Sequence, residues 1–369
     1  MKLETIEIEN FRGIQHLKLD FQDELERVQE VVPIVGPNTS GKTTILDAIT
    51  CCLAPGTELW TMRPDLVYSP ASLVRHGAAH ARITCTVRFS DVEIACTQKI
   101  LELTESPDAA KVPSANRVTV HWQYPDPADR HLRGVNQYEP SYAYLLFKGR
   151  KRAIGHFHVP RVSARSLQDL GGIFMFDQKR TGLGQRRTHS QLDARRNTPG
   201  AHAGAGADDF IHDPRQILLT LATRAQAPQT PQATERGDFD RLRELYARVC
   251  KPHRIKDLIN TASGLDLEFE GPQGTYFFDG LSSGQVMLLL LLLQFAKNRI
   301  HQSIVLIDEL ELHLHPLWQS RLHQSLGELG VGNQVFFTTH STHLRDLLRG
   351  AVFHSTGDLG DDAVKKVEV

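Results

Sequence analysis

The amino-acid sequence predicts an α/β fold: a mixed central sheet, an antiparallel β subdomain beside it, and a helical insertion in the middle of the chain. Three observations carry this. Short apolar runs at Val31 to Val35 and Ile304 to Ile307 have the length and composition of strands buried on both faces. A glycine-rich loop, Gly36 to Thr43, follows the first of them and opens onto a helical pattern. Alternation of apolar and polar residues at the N-terminus, and again between 81 and 104, marks half-buried antiparallel strands.

In chain order, Leu3, Ile6 and Ile8 lie in a β-rich opening, and Leu17, Leu19 and Phe21 alternate as a second strand, joined to it by Asn10-Phe11-Arg12-Gly13. A helix is expected from about Lys42 to Leu53. Ile83 to Phe89 and Val92 to Ile100, broken at Ser90-Asp91, predict a hairpin. Two tracts rich in Gly, Ala, Pro, Gln and Thr, Thr198 to Asp209 and Ala225 to Gly237, cannot form a packed core and are expected to be loops. Phe239, Leu242, Leu245, Tyr246 and Val249 fall at helical spacing, with Asp238 placed as an N-cap. Leu265 to Phe269, Tyr276 to Phe278 and Val335 to Thr338 read as further strands. Val286 to Leu293 reads as a buried helix, too short to cross a bilayer. The expected division is an N-terminal part at 1–150, a basic and helical insertion at 151–260, and a C-terminal part at 261–369.

Composition narrows the function classes. In 369 residues, 42 Lys and Arg nearly cancel 43 Asp and Glu, so the net charge of -1 gives no global attraction to nucleic acid or membrane. The five cysteines show no CxxC pair and no zinc-like spacing, which suits reduced thiols. The N-terminus alternates and has no apolar signal segment, so a cytoplasmic protein without membrane contact is expected.

Gly36-Pro37-Asn38-Thr39-Ser40-Gly41-Lys42-Thr43 satisfies G-x-x-x-x-G-K-[ST], the Walker A pattern. Between a buried strand and a helix, its backbone N–H groups can face phosphates at a helix N-terminus carrying about half a positive charge. Gly36, Asn38, Ser40, Gly41, Lys42, Thr43 and Thr44 are therefore candidate ATP-binding residues, with Lys42 on the β and γ phosphates and Thr43 on Mg2+. Ile304 to Ile307 ends in Asp308-Glu309, a Walker B pattern: Asp308 is placed on Mg2+ and Glu309 on the attacking water. Leu281-Ser282-Ser283-Gly284-Gln285 heads the apolar helix, and Thr338-Thr339-His340-Ser341 follows a strand. Serines before an apolar run are also ordinary N-caps. No Cys or acid pair at ligand spacing supports a metal site at His313 and His315.

In these motifs the sequence resembles ABC-type ATPases. The resemblance implies that Ser282, Ser283, Gly284 and Gln285 form a signature motif facing the γ-phosphate bound by an opposite subunit, hence a homodimer or higher homo-oligomer with ATP sandwiched between subunits. It also implies that His340 is the switch histidine, acting with Glu309 in catalysis, and that 313–315 belong to the D-loop at the dimer interface. The Asn-Phe-Arg-Gly opening and the Asp-Glu, Leu-His-Pro and Thr-His-Ser ending are similar to the ATPase domain of OLD-family proteins and their RecF- and SMC-like relatives. Residues 1 to 55 and 275 to 350 carry this likeness. It implies a nucleotide contact for Arg12, with a surface salt bridge as the alternative. No glutamine is assigned as the Q-loop residue.

Two departures matter. OLD proteins carry a Toprim nuclease domain after the ATPase, but only 29 residues (369 minus 340) follow His340, so no nuclease activity is expected. SMC proteins carry long heptad coiled coils, which are absent here. The chain then resembles stand-alone OLD-like ATPases of anti-phage systems such as PARIS, Septu and some retrons, which regulate a separately encoded nuclease or toxin. From Lys148 to Pro199, twelve Lys or Arg against three Asp give a balance of +9. This block is open to three readings: a phosphate backbone of nucleic acid, an acidic partner protein, or a solvated face. The expected function is an ATPase whose dimer controls an effector protein; the rivals are a RecF-like DNA-repair ATPase and an ATP-binding scaffold with little hydrolysis.

Overall fold

The computed structural model describes residues 1–38, 40–57, 70–126, 135–156, 159, 161–162, 164–177, 214–226, 233–261, 264–348, 353–355 and 365–367. The chain divides into two compact units, one made of Met1–Phe176 with Asn298–Val369 and the other of Asp177–Lys297. The segments expected at 1–150, 151–260 and 261–369 are thus grouped differently. Residues 173–176 supply a strand to the first unit, and residues 264–297 fold with the insertion.

In the first unit, β1 (Lys2–Phe11) and β2 (Ile14–Asp20) form a hairpin across Arg12 and Gly13, and Arg12 turns the chain with φ 49°. β3 (Val31–Val35) leads through the glycine-rich loop into α1 (Lys42–Thr57). Then come β4 (Ala81–Arg88), α2 (Asp91–Leu103), β5 (Arg117–Tyr124), β6 (Val135–Glu139), α3 (Tyr144–Gly155) and β7 (Ile173–Phe176). The second unit holds α4 (Pro214–Gln226), α5 (Ala233–Val249), β8 (Arg254–Thr261), β9 (Gly264–Gly271), β10 (Gly274–Tyr276) and most of α6 (Ser283–Asn298). The chain returns to the first unit with β11 (Ile304–Ile307), α7 (Pro316–Ser325), β12 (Gln334–Thr339), α8 (Thr342–Leu347), β13 (Phe353–Ser355) and β14 (Lys365–Val367).

The mixed sheet runs β14-β13-β3-β12-β11-β7, parallel throughout except for β14 against β13. The second sheet, β2-β1-β4-β5-β6, is antiparallel, and β10-β9-β8 form a small antiparallel sheet in the second unit. One apolar cluster joins both large sheets to α1: Ile6 and Ile8 of β1, Ile83 and Cys85 of β4, Ile45, Leu46 and Ile49 of α1, and Phe336 of β12. Phe21 meets Phe336 edge-on at 4.9 Å. The buried Gln334 side chain adds a polar tie, accepting from Leu3 N at 2.6 Å and donating to Leu3 O at 2.9 Å. Among the described residues, no helix is long and apolar enough to cross a membrane.

Three local expectations are corrected. Val92 to Ile100 is not the second arm of a hairpin but lies in α2, and β4 pairs with β5 instead. The cause is a capping box: Glu93 N donates to Ser90 Oγ at 3.2 Å while Ser90 N donates to Glu93 Oε2 at 3.0 Å, satisfying two end donors of the helix. The buried face is Glu93, Thr97, Ile100 and Leu101, at helical spacing, whereas Val92 is exposed. Of the tract Ala225 to Gly237, expected to be a loop, Ala225 and Gln226 end α4 and Ala233 to Gly237 begin α5, so Asp238 lies inside that helix and is not its N-cap. Phe278 belongs to a short 3-10 turn at Phe278–Gly280, and the strand ends at Tyr276. The tract Thr198 to Asp209 lies outside the described residues.

Candidate functional site

The glycine-rich loop connects the C-terminal end of β3 to the first turn of α1. Gly41 takes φ +86°, a left-handed conformation that strains any residue with a Cβ. Asn38 is exposed on the loop, Ser40 is buried, Gly36 and Thr44 are half-buried, and Thr39 lies outside the described residues. Lys42 is only 7 % exposed, and its Nζ donates to the carbonyls of Gly36 at 2.9 Å and Pro37 at 2.7 Å. Burial pushes the Lys42 pKa below its ordinary value, opposed by the negative charges of Glu309, Glu311 and Asp308. The first turn of α1 carries no acidic residue of its own, and its positive end faces the loop. A buried ammonium that, among the described residues, bonds to two loop carbonyls at a helix N-terminus fits a polyphosphate.

The parallel register of β11, between β12 and β7, fixes the acidic edge. Asp308 N donates to Phe176 O at 2.8 Å, placing Asp308 one residue beyond the strand. The Thr43 hydroxyl donates to Asp308, with its oxygen 2.9 and 3.1 Å from the two carboxylate oxygens. Thr338 Oγ1 donates to Asp308 Oδ1 at 2.7 Å and accepts from Glu309 N at 2.8 Å. A hydroxyl and a carboxylate at this separation form an oxygen donor set suited to a hard divalent cation such as Mg2+. Glu309 itself takes φ 50°, a left-handed turn that non-glycine residues rarely adopt and that is found disproportionately at functional sites.

His340 follows β12 with its side chain 43 % exposed. Its backbone N donates to Glu311 Oε1 at 2.8 Å, Ser341 N donates to the same oxygen at 3.2 Å, and His340 Nδ1 lies 3.1 Å from it. Ser341 Oγ in turn donates to Gln319 Oε1 at 2.9 Å, and Gln319 Nε2 donates to Leu314 O. Glu311 was not singled out from sequence. It is 7 % exposed, and its Oε2 has no hydrogen-bond partner among the described residues. The signal that could have found it is a third acid, in Asp308-Glu309-Leu310-Glu311, next to a strand-end histidine motif. His315 accepts from Leu317 N through Nδ1 at 3.3 Å as the N-cap of α7.

Lys42, Thr43, Asp308, Glu309 and His340 are therefore gathered at one edge of the parallel sheet. The Arg12 guanidinium pairs with the fully buried Asp47 of α1, one helical turn beyond Thr43. The pairing of β7 with β11 brings the end of β7 to the same edge, so Asp177 is the next residue in the chain there. Gln178 lies outside the described residues. The basic block loses one member, because Arg150 is buried and donates to the carbonyls of Leu167, Leu170, Asn298 and Arg299. Burial lowers its pKa to about 10. Residues 178–199 of the block lie outside the described residues.

The segment 281–285 belongs to the second unit. Ser282 and Ser283 are exposed at the start of α6, while Gly284 and Gln285 are buried. A capping box holds the turn: Gln285 N donates to Ser282 Oγ at 3.3 Å, and Ser282 N donates to Gln285 Oε1 at 2.9 Å. The helix cap anticipated for these serines is thus formed by Ser282, and Ser283 stands in the first turn beside it.

Comparison with known proteins agrees with this architecture. The family described as "AAA domain, putative AbiEii toxin, Type IV TA system" matches residues 156–346, more than half of the chain, and the one described as "AAA ATPase domain" matches residues 1–76. The chain is 19 % identical over 360 residues to the Septu protein PtuA of Bacillus thuringiensis, covering 93 % of this chain and 72 % of that one. It is 32 % identical over 90 residues to the uncharacterized protein YbjD of Escherichia coli K12, spanning 15 % of that protein's length. An SMC head solved bound to the C-winged helix domain of ScpA superposes with a TM-score of 0.58 at 13 % identity, covering 100 % of this chain and 98 % of that one. An SMC head with an extended coiled coil, bound to the C-terminal domain of ScpA derived from Pyrococcus furiosus, gives 0.56 at 13 % identity, covering 100 % and 96 %. The fold is that of an SMC-like ATPase head, with mixed and antiparallel sheets.

Proposed function

The chain belongs to the family described as "AAA domain, putative AbiEii toxin, Type IV TA system", and from that premise we propose that it hydrolyses ATP between two copies of itself to control a separately encoded effector, a nuclease or toxin, in anti-phage defence. The observation that carries the catalytic part is the contact of Thr43 with Asp308, which joins the two Walker motifs across 265 residues. In this reading the loop of Gly36, Asn38, Ser40 and Gly41, with Thr44, wraps the phosphates, and Lys42 exchanges its two loop carbonyls for phosphate oxygens. Mg2+ held by Thr43 and Asp308 would neutralise charge on the transferred phosphoryl group. Glu309 orients the attacking water and takes its proton, and His340 contacts the γ-phosphate from the next strand end. The exposed Ser282 and Ser283, with Gly284, present a helix N-terminus to the triphosphate of the opposite copy.

The effector role is supported by the likeness to the Septu protein PtuA over 93 % of the chain and by the family description. The test is turnover and oligomeric state on the purified chain. Glu309→Gln should slow hydrolysis by about 10²–10⁴ and trap ATP with the dimer. Gly284→Asp should spare nucleotide binding and stop hydrolysis. Unchanged turnover in Gly284→Asp, or nucleotide enclosed by a single copy with Ser283 far from every phosphate, refutes the two-copy site. The described part of the basic block supports a second reading, a RecF-like DNA-binding ATPase, because Lys148, Lys151 and Arg152 remain on α3 after Arg150 is withdrawn. That reading requires duplex or junction DNA to stimulate turnover strongly and to do so less at high salt.

A further inference from the structure

We propose that Tyr276 and His253 are positioning residues for the signature turn, holding the Gln285 amide, and through it Ser282 and Ser283, in the geometry that the opposite nucleotide requires. The inference rests on the two-copy reading above and names residues that it does not use. It starts from the Gln285 side chain, which is 4 % exposed and has both ends engaged. Its Oε1 accepts from Ser282 N, and its Nε2 donates to the Tyr276 hydroxyl at 3.0 Å. The same hydroxyl lies 2.8 Å from His253 Nδ1. With a neutral imidazole, the bonds run in one direction: Gln285 N–H to Tyr276 oxygen, and Tyr276 O–H to His253 Nδ1. Burial lowers the His253 pKa and raises that of Tyr276, so both groups keep the neutral forms this chain of bonds needs.

The chain of bonds is packed as well as bonded. The Tyr276 ring stacks on Phe269 at 5.8 Å and 18°, and His253 meets it edge-on at 6.1 Å. A Cβ at Gly271 would come within 2.7 Å of His253 Nδ1, and one at Gly280 within 3.3 Å of the Tyr276 side chain, so glycine at both places lets the backbone close on the pair. Gly280 immediately precedes Leu281, so the ring forms the floor of the turn that delivers the two serines. On the outer side, Arg215 of α4 pairs with Asp266 of β9 and reaches Asp279 of the same turn at 3.5 Å. A two-ended amide fixes direction as well as position. Without the Tyr276 oxygen, the buried Gln285 N–H loses its acceptor at 3.0 Å, and any shift of the amide to regain one, for instance toward the Tyr246 hydroxyl, strains its bond to Ser282 N.

The experiment uses the full chain with Mg2+ and ATP. Tyr276→Phe keeps the ring and removes only the hydroxyl; it should lower kcat by about tenfold, with binding of ATP to the cradle unchanged. His253→Leu tests the same chain of bonds from its other end and should lower kcat in the same sense, which keeps the proposal testable if either variant folds poorly. An equimolar mixture of Lys42→Ala and Tyr276→Phe chains should recover part of the lost turnover, because each mixed dimer then contains one site made of two unaltered halves. Turnover of both Tyr276→Phe and His253→Leu within about twofold of the parent chain overturns the positioning role. Slow Tyr276→Phe turnover with no recovery on mixing overturns the two-copy reading instead, so the two failures are distinguishable.

Discussion

The two regions that contribute to the proposed site are held by different kinds of interaction. At the edge of the parallel sheet, the loop and acidic strand are fixed by charge: a buried ammonium on two carbonyls, a carboxylate receiving two hydroxyls, and a second carboxylate receiving two backbone N–H groups. At the signature turn, the central bonds run between neutral groups, an amide, a phenol and an imidazole. The ion pair that reaches that turn among the described residues, Arg215 to Asp279, has a largely exposed carboxylate and is worth little. The difference teaches where each region is vulnerable. The sheet edge should respond to loss of charge and to pH, and the signature turn to loss of a single hydrogen bond with no change of charge.

The largest effect tests the charged region. Lys42→Ala removes the ammonium whose charge is felt by Asp308, Glu309 and Glu311. Turnover should fall by at least about 10²–10³ and nucleotide affinity with it, measured by phosphate release and equilibrium binding. Retained affinity with lost turnover would show that the loop N–H groups alone hold the nucleotide. Next in size is Glu311→Ala, which deprives His340 N of its carboxylate acceptor and leaves Ser341 N with its other acceptor, Thr339 Oγ1. About tenfold lower kcat is expected, with ATP binding retained. Glu311→Gln keeps a carbonyl oxygen for those two donors and should recover most of the loss. If Gln is as slow as Ala, the charge beside His340 Nδ1, and not the backbone anchoring, is what matters.

The same contrast explains what was legible in the sequence. Lys42, Thr43, Asp308 and Glu309 stand in contiguous runs whose chemistry depends on neighbours one to four residues away, and the Thr43 hydroxyl meets the Asp308 carboxylate across the two runs. Glu311 and His340 are 29 residues apart, and Gln285, Tyr276 and His253 lie in a helix, a strand and a loop, so no short pattern announces either group. The misread hairpin has a local cause. Val92, Ile94 and Cys96 alternate as a strand would, while the buried set Glu93, Thr97, Ile100 and Leu101 is helical and half polar; the Ser90 to Glu93 capping box decides between them. Arg150 was illegible for the opposite reason. In a run of basic residues it reads as one more solvated cation, yet it lies over the Phe174 ring at 5.4 Å with carbonyls as its partners.

The smallest predicted effect sharpens the comparison through pH. Burial holds the Lys42 pKa below its ordinary value of 10.5, so the folded chain gives up this proton at lower pH than the unfolded chain does. Between the two values the unfolded state binds more protons, and the stability contributed by this group therefore rises with pH: charging the buried amine opposes folding, and alkali removes that penalty. Nucleotide binding has the opposite sign, because the phosphates need the charged form. Affinity should decline by a few-fold on the alkaline side, beginning below the pH expected of an ordinary lysine, which is near 10.4. Tyr276 would ordinarily ionise in the same range, but burial raises its pKa, so the signature turn keeps its proton there. The alkaline decline in affinity should hence persist in Tyr276→Phe and vanish in Lys42→Arg, whose guanidinium stays charged. A decline abolished by Tyr276→Phe would place the titrating group in the second region and reverse the assignment of charge to one and neutrality to the other.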